Sequence, residues 1–239
     1  MNYLFKDLFK HKKTDTCIFL GTGSTINKIS MNEWKEIKKY DTWTLNNWIY
    51  HPDFVPDFYF LEIKKPELKI FEYWFNKKKD LYKNTKFIID SIRINYLRPI
   101  LKDHEFIFVY DHQLRNVKER NIINADYIMD EIILTHSYNV SLTLIIEALY
   151  KMGYEKIILY GVELNNSKYF WTDNLEIDPV YVRTNKGNKP DCFHTTYFIK
   201  DYIIDFNERF MKPLNKEILV GTKDTLLFPE LKYENLKGE

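Results

Sequence analysis

Short apolar runs alternate along the chain with segments of helical period. The four-residue run Cys17–Leu20 ends in Gly21-Thr22-Gly23-Ser24 and opens into a helix-like stretch, which predicts a buried strand, a tight turn and a helix N-terminus. Further strands are predicted over 42–50, 57–63, 86–90 and 105–111. Residues 66–83, with Lys77, Lys78 and Lys79, read as helical or mixed with a solvated face. SLTLIIEALYKM, from Ser141 to Met152, is a strongly apolar helix that Gly153 can end from the C′ position. The EKIILYGVEL run after it has the continuous apolar character of a parallel strand covered on both faces. Residues 195–211 repeat at period 3.6, and EILVG supplies a last buried strand.

Strands alternating with helices predict an α/β fold: a single modified Rossmann domain with a central, mostly parallel sheet. In such a sheet ligands sit beyond the carboxyl ends of the strands. Gly21–Ser24, Asn46–Asn47 and Gly161–Asn165 all follow predicted strands, so one crevice is expected to gather them. The polar stretch 165–191 reads as a lid over that crevice, leaving 15–164 and 192–239 as the domain proper. Residues 1–14 are expected as an N-terminal amphipathic helix, with Leu4, Phe5, Leu8 and Phe9 on one stripe beside Lys6, Lys10, Lys12 and Lys13. Such a helix either docks on its own domain, the preferred reading, or rests on an anionic membrane surface.

Composition narrows the classes. A net charge of +1 over 239 residues lacks the basicity of a nucleic-acid partner. The two cysteines, Cys17 and Cys192, make neither a zinc knuckle nor a disulfide scaffold and suit a reducing cytoplasm. No apolar run approaches the roughly 20 residues of a membrane span, and no targeting segment is expected. The 17% aromatic content fits a codon bias towards Tyr, Phe, Ile, Asn and Lys.

The chain has seven glycines, so the pair at Gly21 and Gly23 draws notice. Ile26 stands where a dinucleotide fingerprint needs its third glycine, and no Gly-Lys-Ser/Thr follows for a Walker loop. A strand-turn-helix of this kind still offers an anion site. The histidines are 11, 51, 104, 112, 136 and 194, without HxH, HExxH or DxD patterns, so no metal and no cofactor is expected. His194 ends the polar loop just before a helix, where the dipole favours the neutral imidazole a general base needs. Tyr169 lies on the same loop and could donate a hydrogen bond to a leaving phosphate. His51 and His136 are the competing bases.

The ordered set CIFLGTGSTINKI, WTLNNWIY, SLTLIIEALYKMGYEKIILYGVEL, HTTYFIKDYIIDF and ILVGTKDTLLFPEL resembles the bacterial lipooligosaccharide sialyltransferases of glycosyltransferase family 42, over most of residues 15–230. The resemblance implies a GT-A-like, metal-independent, inverting transfer of sialic acid from a CMP-sugar donor to a glycan acceptor. It places Asn46 on the cytidine nucleotide, Ser141 on the phosphate and His194 as the base that deprotonates the acceptor. Tyr169, Ser141 and the amides of the Gly21–Gly23 turn would stabilise the departing phosphate, with Thr22, Ser24, Gly161 and Asn165 completing the nucleotide site. It also implies a homotetramer. Thr22 replaces a family asparagine, Asn165 stands near one of two phosphate-binding tyrosines, and Leu61 or Glu62 replaces an asparagine after the third strand. Tyr160 or Tyr181 could substitute for the missing tyrosine, and legionaminic, pseudaminic or 3-deoxy-octulosonic acid could replace the sugar. The alternatives are a non-catalytic nucleotide- or glycan-binding protein and a nucleotide-sugar phosphohydrolase.

Overall fold

The computed structural model describes residues 3–114, 133–136, 141–164, 169–171 and 196–236. Strands β1 (Tyr3–Leu4), β2 (Thr16–Leu20), β3 (Asp41–Leu45), β4 (Phe58–Leu61), β5 (Lys86–Asp90), β6 (Ile107–Leu114), β8 (Lys156–Tyr160) and β9 (Glu217–Val220) form one sheet in the order β1-β6-β5-β4-β3-β2-β8-β9. β7 (Ile133–His136) pairs with β6 beyond this path, and every described ladder is parallel. From β2 the chain winds outward through β3, β4, β5 and β6, then returns to lay β8 on the other side of β2. The switch point is therefore between β2 and β8, with Leu20 opposite Tyr160 at its carboxyl end.

Alternation along the strands builds two cores. Cys17, Phe19, Trp43, Phe58 and Phe60 face α4 (Ser141–Lys151) and α5 (Thr196–Phe206). Ile18, Leu20, Tyr59, Leu61 and Phe87 face α1 (Met31–Ile37), α2 (Leu68–Lys78) and α3 (Ser91–Leu97). Both faces of the sheet are covered, as the unbroken apolar strands required. Much of the aromatic content is core: Trp43, Trp48, Tyr59, Tyr82, Tyr110 and Tyr154 are among the largest fully buried side chains.

The sequence-based expectations shift at several places. The predicted strand over 42–50 stops at Leu45 and continues as a 3-10 helix, Asn46–Tyr50, because Asn46 takes a left-handed backbone with φ 41°. The N-terminal segment is a two-residue strand followed by a 3-10 helix, Phe5–His11, in place of an amphipathic α-helix. It docks on the domain: β1 pairs with β6, Leu8 is fully buried, and Lys12 Nζ donates to the Gly153 carbonyl at 3.0 Å. Behind it, buried Asp41 accepts from the backbone N–H of Lys13 and from the Tyr154 hydroxyl. Of the segment expected as a lid, only Tyr169–Trp171 is described, and no helix among the described residues is long and apolar enough to cross a membrane.

Candidate functional site

The two loops at the switch point are zipped together. Gly21 N–H donates to the Tyr160 carbonyl at 2.7 Å and Gly23 N–H to the Gly161 carbonyl at 2.9 Å. The backbones approach so closely that a Cβ on Gly21 would overlap the Gly161 carbonyl, and Gly161 itself has φ +64°. Glu163, 3% exposed, then fills the space above Gly23, where a Cβ would collide with its carboxylate. Its Oε1 accepts from Thr25 N–H at 2.6 Å and from the Thr25 hydroxyl at 2.5 Å. Residues 169–171 close the loop from outside. Tyr169 bridges Gly23, Phe170 N–H donates to the Thr22 carbonyl at 3.1 Å, and Asn27 Nδ2 donates to the Phe170 carbonyl at 2.8 Å.

This arrangement corrects one expected role. The amides of Gly21 and Gly23 are both taken by carbonyls, and a protein carboxylate holds Thr25, so those two amides have no proton left for a phosphate. Lining the same place are the half-buried side chains of Thr22 and Ser24 and the half-buried Tyr169, whose ring stacks on Trp171 at 4.5 Å and 2°. Tyr160 is not a spare phosphate ligand either: its hydroxyl donates to buried Glu33 at 3.1 Å, and burial, with Glu33 adding, pushes its pKa up.

A second cluster lies on the neighbouring strand ends. Asn46, just past β3, directs Nδ2 to the Ser141 hydroxyl at the start of α4, 3.3 Å away. The Asn46 side-chain oxygen accepts Glu62 N–H at 2.7 Å, which fixes which end of the amide is which. Its main-chain carbonyl accepts the Tyr59 hydroxyl. With the oxygen so engaged, the pair offers a ligand the second amide proton of Asn46 and the hydroxyl proton of Ser141. The matching ligand atom is an acceptor, such as a phosphate, carboxylate or pyrimidine carbonyl oxygen. Past β4 and β5 the network continues: Tyr110 OH donates to Glu62 at 3.4 Å, and Arg93 pairs with both Glu62 and Asp90.

Two histidines are committed to the fold. His51 Nδ1 accepts Phe54 N–H at 3.0 Å and Asp53 N–H at 3.3 Å, so its ring proton sits on Nε2 and no lone pair is left to take another. The ring stacks on Trp48 at 4.8 Å and 9°. Burial, the largest cause, holds its pKa at about 4, with Lys78 adding and Asp53 opposing. His104 is engaged at both nitrogens, by the Tyr82 carbonyl and by Phe106 N–H. The side chain of His136, with Asn165, Tyr181 and His194, lies outside the described residues. Among the described residues no group of three or more His, Cys, Asp or Glu could hold a metal ion.

The geometry can be set beside known proteins. The chain matches the crystal structure of the monofunctional alpha-2,3-sialyltransferase Cst-I from Campylobacter jejuni with a TM-score of 0.56, over 95% of this chain and 82% of that one. The fold is sialyltransferase-like. Identity over the match is 12%, so the likeness is one of architecture. No family model and no curated protein matches the sequence.

The sialyltransferase-like fold gathers the expected residues in two sets. Gly21, Thr22, Gly23, Ser24, Gly161 and Tyr169 meet at the switch point, and Asn46 meets Ser141 beside it. Sequence reasoning names Glu62 only as one of two stand-ins for a family asparagine, does not single out Glu163 within Gly161–Asn165, and misses Tyr59, Arg93 and Asp90. A signal existed for two of them: Glu163 and Glu62 are lone acids at the ends of apolar strands, where an unpaired charge is costly.

Proposed function

We propose that this protein is an inverting, metal-independent glycosyltransferase that moves sialic acid or a related nonulosonic acid from a CMP-sugar to a glycan acceptor. The observation that carries the reading is the Asn46–Ser141 pair, two donor groups brought together from β3 and α4 at the crevice of a sialyltransferase-like fold. They suit an anionic oxygen next to a cytidine nucleotide. Ser141 also opens an eleven-residue helix, whose N-terminal dipole favours negative charge. His194 then deprotonates the acceptor hydroxyl, which attacks the anomeric carbon as CMP leaves. Ser141 and Tyr169 steady the departing phosphate by hydrogen bonds, which requires no metal. A homotetramer and a cytoplasmic, membrane-peripheral setting belong to the same reading.

Calorimetric titration with CMP, UMP, GMP and NAD tests it. CMP should bind the tightest, and Asn46→Ala and Ser141→Ala should each weaken it about 10-fold, the loss of one hydrogen bond to a charged group. Preference for UMP or NAD, or CMP binding indifferent to both variants, counts against it.

A further inference from the structure

Asn46 holds its donor towards Ser141 from a backbone shape that is sterically unfavourable for residues with a Cβ and that asparagine visits only as a single residue. Its φ of 41° belongs to the left-handed region, and β4 supplies what keeps it there. Tyr59 is fully buried, and its hydroxyl donates to the Asn46 carbonyl while accepting Ile49 N–H at 2.8 Å. It therefore braces from the side the two groups that the 3-10 helix Asn46–Tyr50 also pairs, the Asn46 carbonyl and the N–H three positions on. Glu62 N–H, three residues on and just past the end of β4, pins the Asn46 side-chain oxygen. Burial raises the Tyr59 pKa well above its ordinary value, so the hydroxyl keeps the proton it donates.

We propose that Tyr59 is a positioning residue for ligand binding: by bracing the first turn after β3 at both the Asn46 carbonyl and Ile49 N–H, its hydroxyl keeps Asn46 in its left-handed shape and aims the amide at Ser141 and at the ligand. Without the hydroxyl the Asn46 carbonyl loses its side-chain donor, and Asn46 turns away from Ser141. Tyr59→Phe keeps the ring contacts with Tyr82 and Phe87, at 5.9 and 5.5 Å. The 3-10 helix still pairs the two backbone groups, so the variant should fold.

The inference rests on the nucleotide reading above, and a double-mutant cycle separates the two. CMP is titrated into wild-type protein, Tyr59→Phe, Asn46→Ala and the double variant, with a thermal melt of each. Tyr59→Phe should weaken CMP about 10-fold, and the double variant should bind no more weakly than Asn46→Ala alone, because coupled residues are non-additive. A purely structural role for Tyr59 would lower the melting point without that coupling in affinity. Wild-type affinity in Tyr59→Phe, an equal loss in both backgrounds, or a Tyr59→Phe protein too unstable to titrate each overturns the inference and leaves the nucleotide reading standing. Wild-type protein that binds no nucleotide overturns the nucleotide reading and this inference with it.

Discussion

His51 should make the fold acid-sensitive in a defined window. In the native protein burial holds its imidazole at about 4, against an ordinary 6.5. Above pH 6.5 neither the folded nor the unfolded chain protonates the ring, and this contribution to stability is complete. Between 6.5 and 4 the unfolded chain binds the proton and the native one does not, so stability falls as the pH drops. Below 4 both bind it and the loss is finished. At about 1.4 kcal/mol per pH unit, the loss is up to about 3 kcal/mol. Urea unfolding of wild type and His51→Asn at pH 7.5, 6.5, 5.5 and 4.5 isolates it, because carboxylates elsewhere contribute alike to both proteins. Asparagine keeps an acceptor for Asp53 and Phe54 N–H but cannot titrate. The stability gap between the two proteins should shrink as the pH falls; a gap constant from 7.5 to 4.5 would refute the reasoning.

Other consequences follow from the same contacts. Glu163→Ala strips Thr25 of its acceptor and opens a void above Gly23, and should cost about 3 kcal/mol in chemical denaturation, whereas Glu163→Gln, which keeps an acceptor, should cost about 1. Leu8→Ala should cost about 2–5 kcal/mol, since the side chain is fully buried, and a deletion of residues 1–13 should lower the melting point further; unchanged melting would mean that the segment is dispensable. His194→Ala should lower kcat about 10²–10⁴-fold with donor binding retained, while His51→Asn keeps most activity at pH 7.5; the reverse pattern in steady-state kinetics would move the base to His51.

Most of the sheet was legible because its strands are short, apolar and covered on both sides. Lys86–Asp90 is placed to the residue and the α4 run nearly so, whereas the EKIILYGVEL strand starts within one residue of β8 but ends at Tyr160, four residues early. Elements lacking a strong apolar stripe escaped. α1 announces itself only by a capping box, Ser30 accepting Glu33 N–H at 3.2 Å and Glu33 reaching back to Ser30 N–H. α3 starts from Asp90, which ends β5 and caps the helix through Ile92 N–H at 2.8 Å. The end of β3 was misjudged because TWTLNNWIY stays apolar through the turn; only the Asn-Asn pair marks it. In the site, Gly21, Gly23, Gly161 and Tyr169 meet, as do Asn46 and Ser141, but the use of each hydrogen is not legible in the sequence. That the glycine amides close on Tyr160 and Gly161, and that Glu163 occupies the loop, depends on two loops 138 residues apart meeting at the switch point. No local pattern encodes that meeting.

The central claim is group transfer from a CMP-activated acidic sugar, and one turnover measurement tests it most directly. The protein is incubated with CMP-N-acetylneuraminic, CMP-legionaminic, CMP-pseudaminic and CMP-3-deoxy-octulosonic acids, a panel of glycan acceptors and excess EDTA. Mass spectrometry then follows the glycan and the nucleotide. The account predicts an extended glycan and one equivalent of free CMP for at least one donor, undiminished by the chelator and lost in His194→Ala. Free CMP with no extended glycan, or transfer that stops with EDTA and returns with Mn²⁺, would contradict it.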